Sequence, residues 1–325
     1  MSASQGEHGA PSRSGAREAA LVFGLDAVER APSVVSIGFF DGVHRGHQVI
    51  IDRARAIATR WGLRCVVVTF DRHPMEVVRP GSQPPMLQAL PRRAATLRRT
   101  GVDLVVTIPF DDDLRHRSPE AFVDKVLAGV LEARHVVVGE NFRFGHRAAG
   151  DVGVLAELGE GRGFSTEGVP LLADGGQAIS STAIREALAS GDVEAAADML
   201  GRPHVVDGIV VRGDGRGREL GFPTANLQID GRIAVPAPGV YAGWLAHPDG
   251  RWLPAASSVG TNPTFGGEEL RVEAYLLDVD EDLYGLEVAL DFRARVRGEV
   301  AFDDVDALVA RMHDDVAQVR RLLGV

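Results

Sequence analysis

Two histidines three residues apart, His44 and His47, lie in the run Ile37-Gly38-Phe39-Phe40-Asp41-Gly42-Val43-His44-Arg45-Gly46-His47. A strand pattern runs into two glycines and then the start of a helix, so both imidazoles are expected to face one phosphate-sized anion region. Gly46 removes a side chain where a ligand would approach. A second run, Ile179-Ser180-Ser181-Thr182-Ala183-Ile184-Arg185, opens another helix with hydroxyl caps. Arg185 falls one turn in, on the side from which it can reach phosphates held at that cap. A third run extends from Gly213-Asp214-Gly215-Arg216-Gly217-Arg218 through Gly221-Phe222-Pro223-Thr224-Ala225-Asn226. Its glycines exclude a regular element and let backbone approach an anion closely. Thr224 and Asn226 offer neutral oxygens two residues apart, suited to a hard cation already bound to nucleotide phosphates. Downstream, Val259 to Gly266 is a second turn-rich block, and Glu273 follows in the strand Arg271 to Leu277, where a glutamate by itself reads as a solvated outward face.

Composition removes several other chemistries. Lys125 is the single lysine and no glycine loop precedes it, so neither a P-loop nor a kinase-fold strand lysine can be written. The single cysteine, Cys65, sits in the apolar run Cys65-Val66-Val67-Val68 and reads as a small buried hydrophobe. The net charge of −10 comes with no basic stripe, so nucleic acid is not an expected partner. No apolar run reaches the roughly 18 residues that cross a membrane. Residues 1–20 lack the apolar stretch of a secretion signal and read as a disordered tail, and a cytoplasmic protein is expected.

The 325 residues suggest two domains at roughly 150 residues each. Over 21–200, apolar strands (Val34 to Phe40, Arg64 to Phe70, Asp103 to Phe110, His135 to Glu140, Phe164 to Leu172) alternate with helices (His47 to Trp61, Pro119 to Ala133, Thr182 to Leu200). Near-continuous apolar strands fit an open parallel α/β sheet covered on both faces. Over 201–325, segments His204 to Val211, Gly239 to Ala246, Trp252 to Ser258, Leu270 to Leu277 and Leu286 to Val296 are separated by Gly, Pro and Asp clusters, which predicts an antiparallel barrel or sandwich. Val305, Leu308, Val309, Met312, Val316, Val319 and Leu323 recur at helical spacing and predict a closing helix on its outside.

The first two runs resemble the nucleotidyltransferase superfamily with an H-x-G-H signature and an I-S-S-T-x-I-R motif. More narrowly they resemble the adenylyltransferase half of the prokaryotic bifunctional riboflavin kinase/FMN adenylyltransferases, or FAD synthetases. Thr69-Phe70-Asp71-Arg72-His73-Pro74 and Gly139-Glu140-Asn141-Phe142-Arg143-Phe144-Gly145 match further blocks of that family. The Gly213 to Asn226 run, with Asp282-Leu283-Tyr284-Gly285, is similar to riboflavin kinase, a six-stranded antiparallel barrel unrelated to P-loop kinases.

The resemblance implies a Rossmann-like domain that binds ATP through Gly38, Phe39, Asp41, Gly42, Gly46, Asn141, Ser180, Ser181 and Thr182. His44, His47 and Arg185 would stabilise the shifting phosphate charge while the FMN phosphate attacks in line and pyrophosphate leaves. His73 and Pro74 would lie toward the flavin. In the barrel, Gly213, Gly215, Gly217, Arg218, Gly221 and Pro223 would cover the phosphates of a second ATP. Thr224 and Asn226 would hold Mg²⁺, and Glu273 would take the proton of the riboflavin 5′-hydroxyl. Phe39 stands where the family usually has Asn, and Arg72 replaces a usual Pro; altered affinity is expected rather than lost activity. The implied ligands are riboflavin, FMN, FAD and ATP, with oligomeric state open. Two rivals are an enzyme with one inactive half and a flavin- or nucleotide-binding regulator; following FMN and FAD from riboflavin, Mg²⁺ and ATP separates all three.

Overall fold

The structure, a computed structural model, describes residues 19–213, 215–264, 267–301 and 304–325. The expected tail over 1–18, and Phe265 and Gly266 of the second turn-rich block, lie outside the described residues. Six parallel strands form the first sheet: β1 (Ala20–Phe23), β2 (Ser33–Ile37), β3 (Arg64–Phe70), β4 (Leu104–Ile108), β5 (Ala133–Gly139) and β6 (Ser165–Val169), in the order β1-β4-β3-β2-β5-β6. Every residue of β2 and β4 is buried, as their apolar runs predict for a sheet covered on both faces. Helices α1 (Arg45–Trp61), α2 (Pro74–Val78), α3 (Leu90–Arg98), α4 (Asp112–Arg115), α5 (Pro119–Phe122), α6 (Val152–Glu160), α7 (Ser181–Ser190) and α8 (Val193–Leu200) connect and cover it. A short hairpin, β7 (Ala173–Asp174) with β8 (Gln177–Ala178), precedes α7.

Several boundaries differ from the sequence reading. Ala19 is buried and Ala20 pairs with Leu104, so the sheet starts inside the expected tail. β2 ends at Ile37 because Phe40 turns left-handed, with φ 55°. The stretch after Ser118 is not one α-helix to Ala133: Val123–Val130 is π-helical, and a Cβ on Gly129 would lie 2.7 Å from the Asp124 carbonyl oxygen five residues back. Thr182 to Leu200 is two helices, because Gly191 closes α7 at φ 80° and Asp192 caps α8 through the Ala195 N–H.

The second architecture begins after Gly201, the left-handed cap of α8. Strands β9 (His204–Val211), β10 (Thr224–Gln228), β11 (Gly239–Ala246), β12 (Trp252–Thr264), β13 (Gly267–Leu276) and β14 (Glu287–Phe292) close an antiparallel ring in the order β12-β13-β10-β9-β14-β11, sealed by β11 against β12. β15 (Ala294–Gly298) continues along the β11 edge that β14 leaves, so the expected Leu286 to Val296 strand is two, parted at Arg293. One turn, α9 (Arg216–Glu219), lies between β9 and β10. α10 (Val305–Leu323) packs outside the ring, with Val316, Val319 and Leu323 against Ala242, Tyr275 and Leu277.

The two architectures share a core. Ile184, Leu188, Val193, Ala196 and Leu200 of α7 and α8, with Leu87, are buried in one cluster with the barrel residues Val206, Tyr241 and Phe292. The Met86 N–H donates to the Arg232 carbonyl at 2.7 Å and the Met86 carbonyl accepts from Ala234 N–H at 2.8 Å. Arg92 of α3 forms an ion pair with Asp207 of β9.

Candidate active sites

From β2 the chain steps one way through β3 and β4 and the other way to β5 and β6, which makes the carboxyl ends of β2 and β5 the switch point of the sheet. In open α/β sheets ligands bind there. β2 delivers Gly38 to His47 to this crevice, and β5 delivers exposed Asn141 beside it. The turn Asp41–Val43 has Gly42 at φ 78°, where a Cβ would also lie 2.8 Å from the Leu87 side chain. His44 caps α1, its Nδ1 accepting the His47 N–H at 3.3 Å. The two rings stack at 3.6 Å between centroids, with Phe40 edge-on to His47. A Cβ on Gly46 would press within 3.2 Å of the His44 ring and 3.4 Å of the Ile179 carbonyl oxygen, so this glycine lets the two sequence runs meet.

Both imidazoles are neutral in this environment. Burial, then the charges of Arg202 and Arg185, pull His44 down to about 4. Burial and the neighbouring His44 hold His47 well below the ordinary histidine value. Since Nδ1 of His44 is an acceptor, its proton resides on Nε2, a donor available to an anion. Nδ1 of His47 is buried without a hydrogen-bond partner among the described residues.

Asp41 and Arg185 are arranged differently from the simple reading in which both face nucleotide. The Asp41 carboxylate is buried, accepts the N–H groups of Leu87 and Gln88 at 3.0 and 3.2 Å, and pairs with the Arg185 guanidinium. Arg185 also donates to the Pro85 carbonyl at 2.6 Å. The Asp41 carboxylate is therefore an anchor for this arginine. Ser181 Oγ donates to the Asp41 carbonyl at 2.9 Å, Ser180 Oγ caps α7 through the Ala183 N–H, and Thr182 is exposed.

Next to this crevice lies an aromatic cavity of about 630 Å³ that the sequence reading touched only through Pro74. Phe70 and Phe110 meet edge to face at 5.5 Å, and Phe142 and Phe144 stack at 5.5 Å, with Arg115, His116 and His146 also in the lining. The Phe142-Arg143-Phe144 spacing was the available signal, since alternate residues share a side in extended chain. His73 caps α2 through the Met75 N–H and stands edge-on to Phe39 at 4.9 Å. The buried guanidinium of Arg93, also missed, lies 4.1 Å from the other partner of that stack, the Phe39 ring centroid. Phe39 thus fills its position by packing.

On the barrel, Thr224, Asn226 and Glu273 share the outward face of β10 and β13, because Asn226 is paired directly opposite Glu273 while Ala225 and Ala274 turn inward. Thr224 Oγ1 donates to Glu273 Oε2 at 3.0 Å. The sequence reading did not include β10 as a strand. The glycines above it divide into two uses. Gly213 and Gly217 have no room for a Cβ, which would fall 2.4 Å from the Asn226 side chain and 2.4 Å from the Phe222 carbonyl oxygen; Gly215 and Gly221 take φ 75° and 83°. Arg218, Pro223 and Thr224 line a cavity of about 590 Å³ together with Asp282 and Tyr284. Behind the site, Phe222 packs edge-on to Tyr275 and to His313 of α10. The described residues hold no cluster of three His, Cys, Asp or Glu able to cage a metal. The hard oxygens of Thr224 and Asn226, with Asn226 seated against Gly213, instead fit a cation that arrives with phosphates.

A parallel-sheet nucleotide crevice joined to a six-stranded barrel with a glycine flap defines a two-site nucleotide-dependent transferase. Residues 26–183 match the FAD synthetase family and residues 200–323 match riboflavin kinase. Among curated proteins, the bifunctional riboflavin kinase/FMN adenylyltransferase of Pseudomonas fluorescens is 39% identical over 305 residues, 93% of this chain and 97% of the relative. That of Escherichia coli K12 is 34% identical over 308 residues, 94% and 98% of the two chains. A crystal structure described as a macrolide-efflux protein from Streptococcus pneumoniae superposes with a TM-score of 0.85 at 31% identity, over 94% of this chain and 99% of that one. Among the described residues no helix is long and apolar enough to cross a membrane. The chain belongs to the bifunctional riboflavin kinase/FMN adenylyltransferase family, with the FAD synthetase part first and the riboflavin kinase part second.

Proposed function

We propose that the barrel transfers the γ-phosphoryl group of Mg²⁺-ATP to the 5′-hydroxyl of riboflavin, and that the α/β crevice then transfers the AMP group of a second ATP to the FMN so formed. The observation that carries this reading is that the two sets of reacting groups stand on different folds, each complete in itself: His44, His47 and Arg185 at the switch point, and Thr224, Asn226 and Glu273 on one barrel face.

In the barrel, Thr224 and Asn226 hold Mg²⁺, which when bound neutralises phosphate charge. Glu273 accepts the hydroxyl proton as the riboflavin oxygen bonds to the γ-phosphorus, and ADP leaves with the electron pair of the broken P–O bond. The Gly213 to Gly221 flap, with Arg218 and Pro223, covers the phosphates. In the α/β domain an FMN phosphate oxygen attacks the α-phosphorus, and pyrophosphate departs toward His44, His47, Ser181, Thr182 and Arg185. The imidazole N–H groups donate hydrogen bonds where charge develops. Gly38, Gly42, Gly46 and Asn141 bound the nucleotide space, and the aromatic cavity beside Pro74 receives the isoalloxazine ring, His73 marking its mouth. We assign 21–200 and 201–325 to the two reactions and the cytoplasm as their location.

Purified protein incubated with riboflavin, ATP and Mg²⁺, with products separated by chromatography, tests the reading. FMN followed by FAD is expected. FMN alone removes the adenylyl transfer, and an absence of both products removes both reactions.

A further inference from the structure

A second polar cavity, about 320 Å³, lies between the α/β domain and the barrel and belongs to neither reacting site. Arg92, Arg99, Arg202 and Arg293 all line it. Arg92 is paired with Asp207 and Arg293 with Asp291. Arg202 donates only to the backbone carbonyls of Gly42, Val43 and Leu200, and Arg99 only to Thr96 Oγ1 at 3.4 Å, so neither has a carboxylate partner among the described residues. Burial, then the charges of Arg99 and Arg92, lower Arg202 to about 10, the direction expected where like charges converge without a counterion. Trp252, half exposed, lines the same cavity.

Two features complement two parts of one ligand class: a phosphate for Arg99 and Arg202, and an aromatic ring for Trp252. We propose that this interdomain cavity is an effector site for an aromatic phosphate ester, a nucleotide or flavin phosphate. Its occupant is distinct from the molecules undergoing reaction. Arg202 also holds the Gly42 and Val43 carbonyls of the turn that leads into His44, so occupancy bears on the adenylyl-transfer crevice through one side chain. ADP and FMN, both products of the proposed reactions, are the two sources of this chemistry.

The test uses the full chain with Trp61→Phe and Trp244→Phe, which leaves Trp252 as the sole tryptophan. Its emission is titrated without Mg²⁺ by ADP, by FMN with absorption correction, and by pyrophosphate. A saturable change with ADP or FMN is expected, persisting in His44→Ala and in Glu273→Gln, weakened at least tenfold by Arg99→Glu, and partly restored by Arg99→Lys. The tighter of the two ligands identifies the source. Thermal melts establish that each variant is folded; Arg99 and Trp61 are exposed, which favours this. No saturable change with either ligand, a response unaltered by Arg99→Glu, or one lost with His44→Ala or Glu273→Gln overturns the site. Pyrophosphate binding as tightly as ADP and FMN overturns the ring assignment.

Discussion

The Asp41 carboxylate and the Arg185 guanidinium, 144 residues apart in sequence, form an ion pair whose side chains are 3% and 16% exposed. This contact fastens the turn after β2 to α7, one turn in from its start. Asp41 also holds the Leu87 and Gln88 N–H groups, and Met86 beside them pairs with the barrel segment at Ile233. Asp41→Ala is expected to leave Arg185 buried without its counterion, at a cost of about 3–5 kcal/mol. A denaturant titration measures the loss, and FAD formation from FMN should fall more than FMN formation from riboflavin at a temperature where the variant and the parent protein both remain folded.

Glu273→Gln keeps an oxygen for the Thr224 hydroxyl but removes the proton acceptor. FMN formation should drop by about 10²–10⁴-fold, while added FMN is still converted to FAD. His44→Ala should show the opposite pattern. Chromatography of both product pools checks the pair, and either variant stopping both reactions with folding intact contradicts the two-site assignment.

Gly213→Ala places a Cβ 2.4 Å from the Asn226 side chain. Displacing that ligand oxygen should raise the Mg²⁺ concentration needed for half-maximal FMN formation several-fold, without changing the rate of FAD formation. Gly215→Ala, at a left-handed glycine with open space around it, is expected to cost about 1–2 kcal/mol of local backbone strain and to leave the metal dependence nearly unchanged.

The histidines make stability depend on pH with a definite sign. His44 and His204 are held at about 4 in the fold, chiefly by burial, against 6.5 in the unfolded chain. Between those values the unfolded state binds more protons, so stability present above 6.5 declines as pH falls toward 4. Each group contributes a slope of about 1.4 kcal/mol per pH unit inside the window. Urea titrations at several pH values should show this slope, and His44→Gln should remove one proton from it.

ATP binding should reverse that shift at the crevice, because polyphosphate charge favours imidazolium. Calorimetry in buffers of different ionisation enthalpy is expected to register proton uptake near pH 6, with affinity rising as pH falls. His44→Ala should diminish the uptake; an unchanged uptake would place the protonating group elsewhere.

Local chemistry made much of this protein legible before its coordinates. Valine-rich strands, the H-x-G-H run at a strand-to-helix junction, and the glycine flap before Pro-Thr-Ala-Asn depend on neighbours a few residues away, so their patterns survive in one dimension. β10 was harder to read because Thr-Ala-Asn-Leu-Gln lacks the β-branched alternation that marks a strand; cross-strand pairing defines it. The π-helical turns and the break at Gly191 likewise hinge on hydrogen bonds that an apolar spacing does not encode.

The sequence by itself determined which groups this chain possesses for phosphate chemistry: histidine, arginine, hydroxyls and glycine backbone, with one lysine in the whole chain. Tertiary structure alone decided which of them are free to act. Asp41 is buried and anchors Arg185 in place, Asn226 is brought opposite Glu273, and α7 and α8 bury themselves against the barrel. The physical reason is that charge compensation, register and shared burial are relations between residues distant along the chain. They exist only once both partners have been carried to the same place.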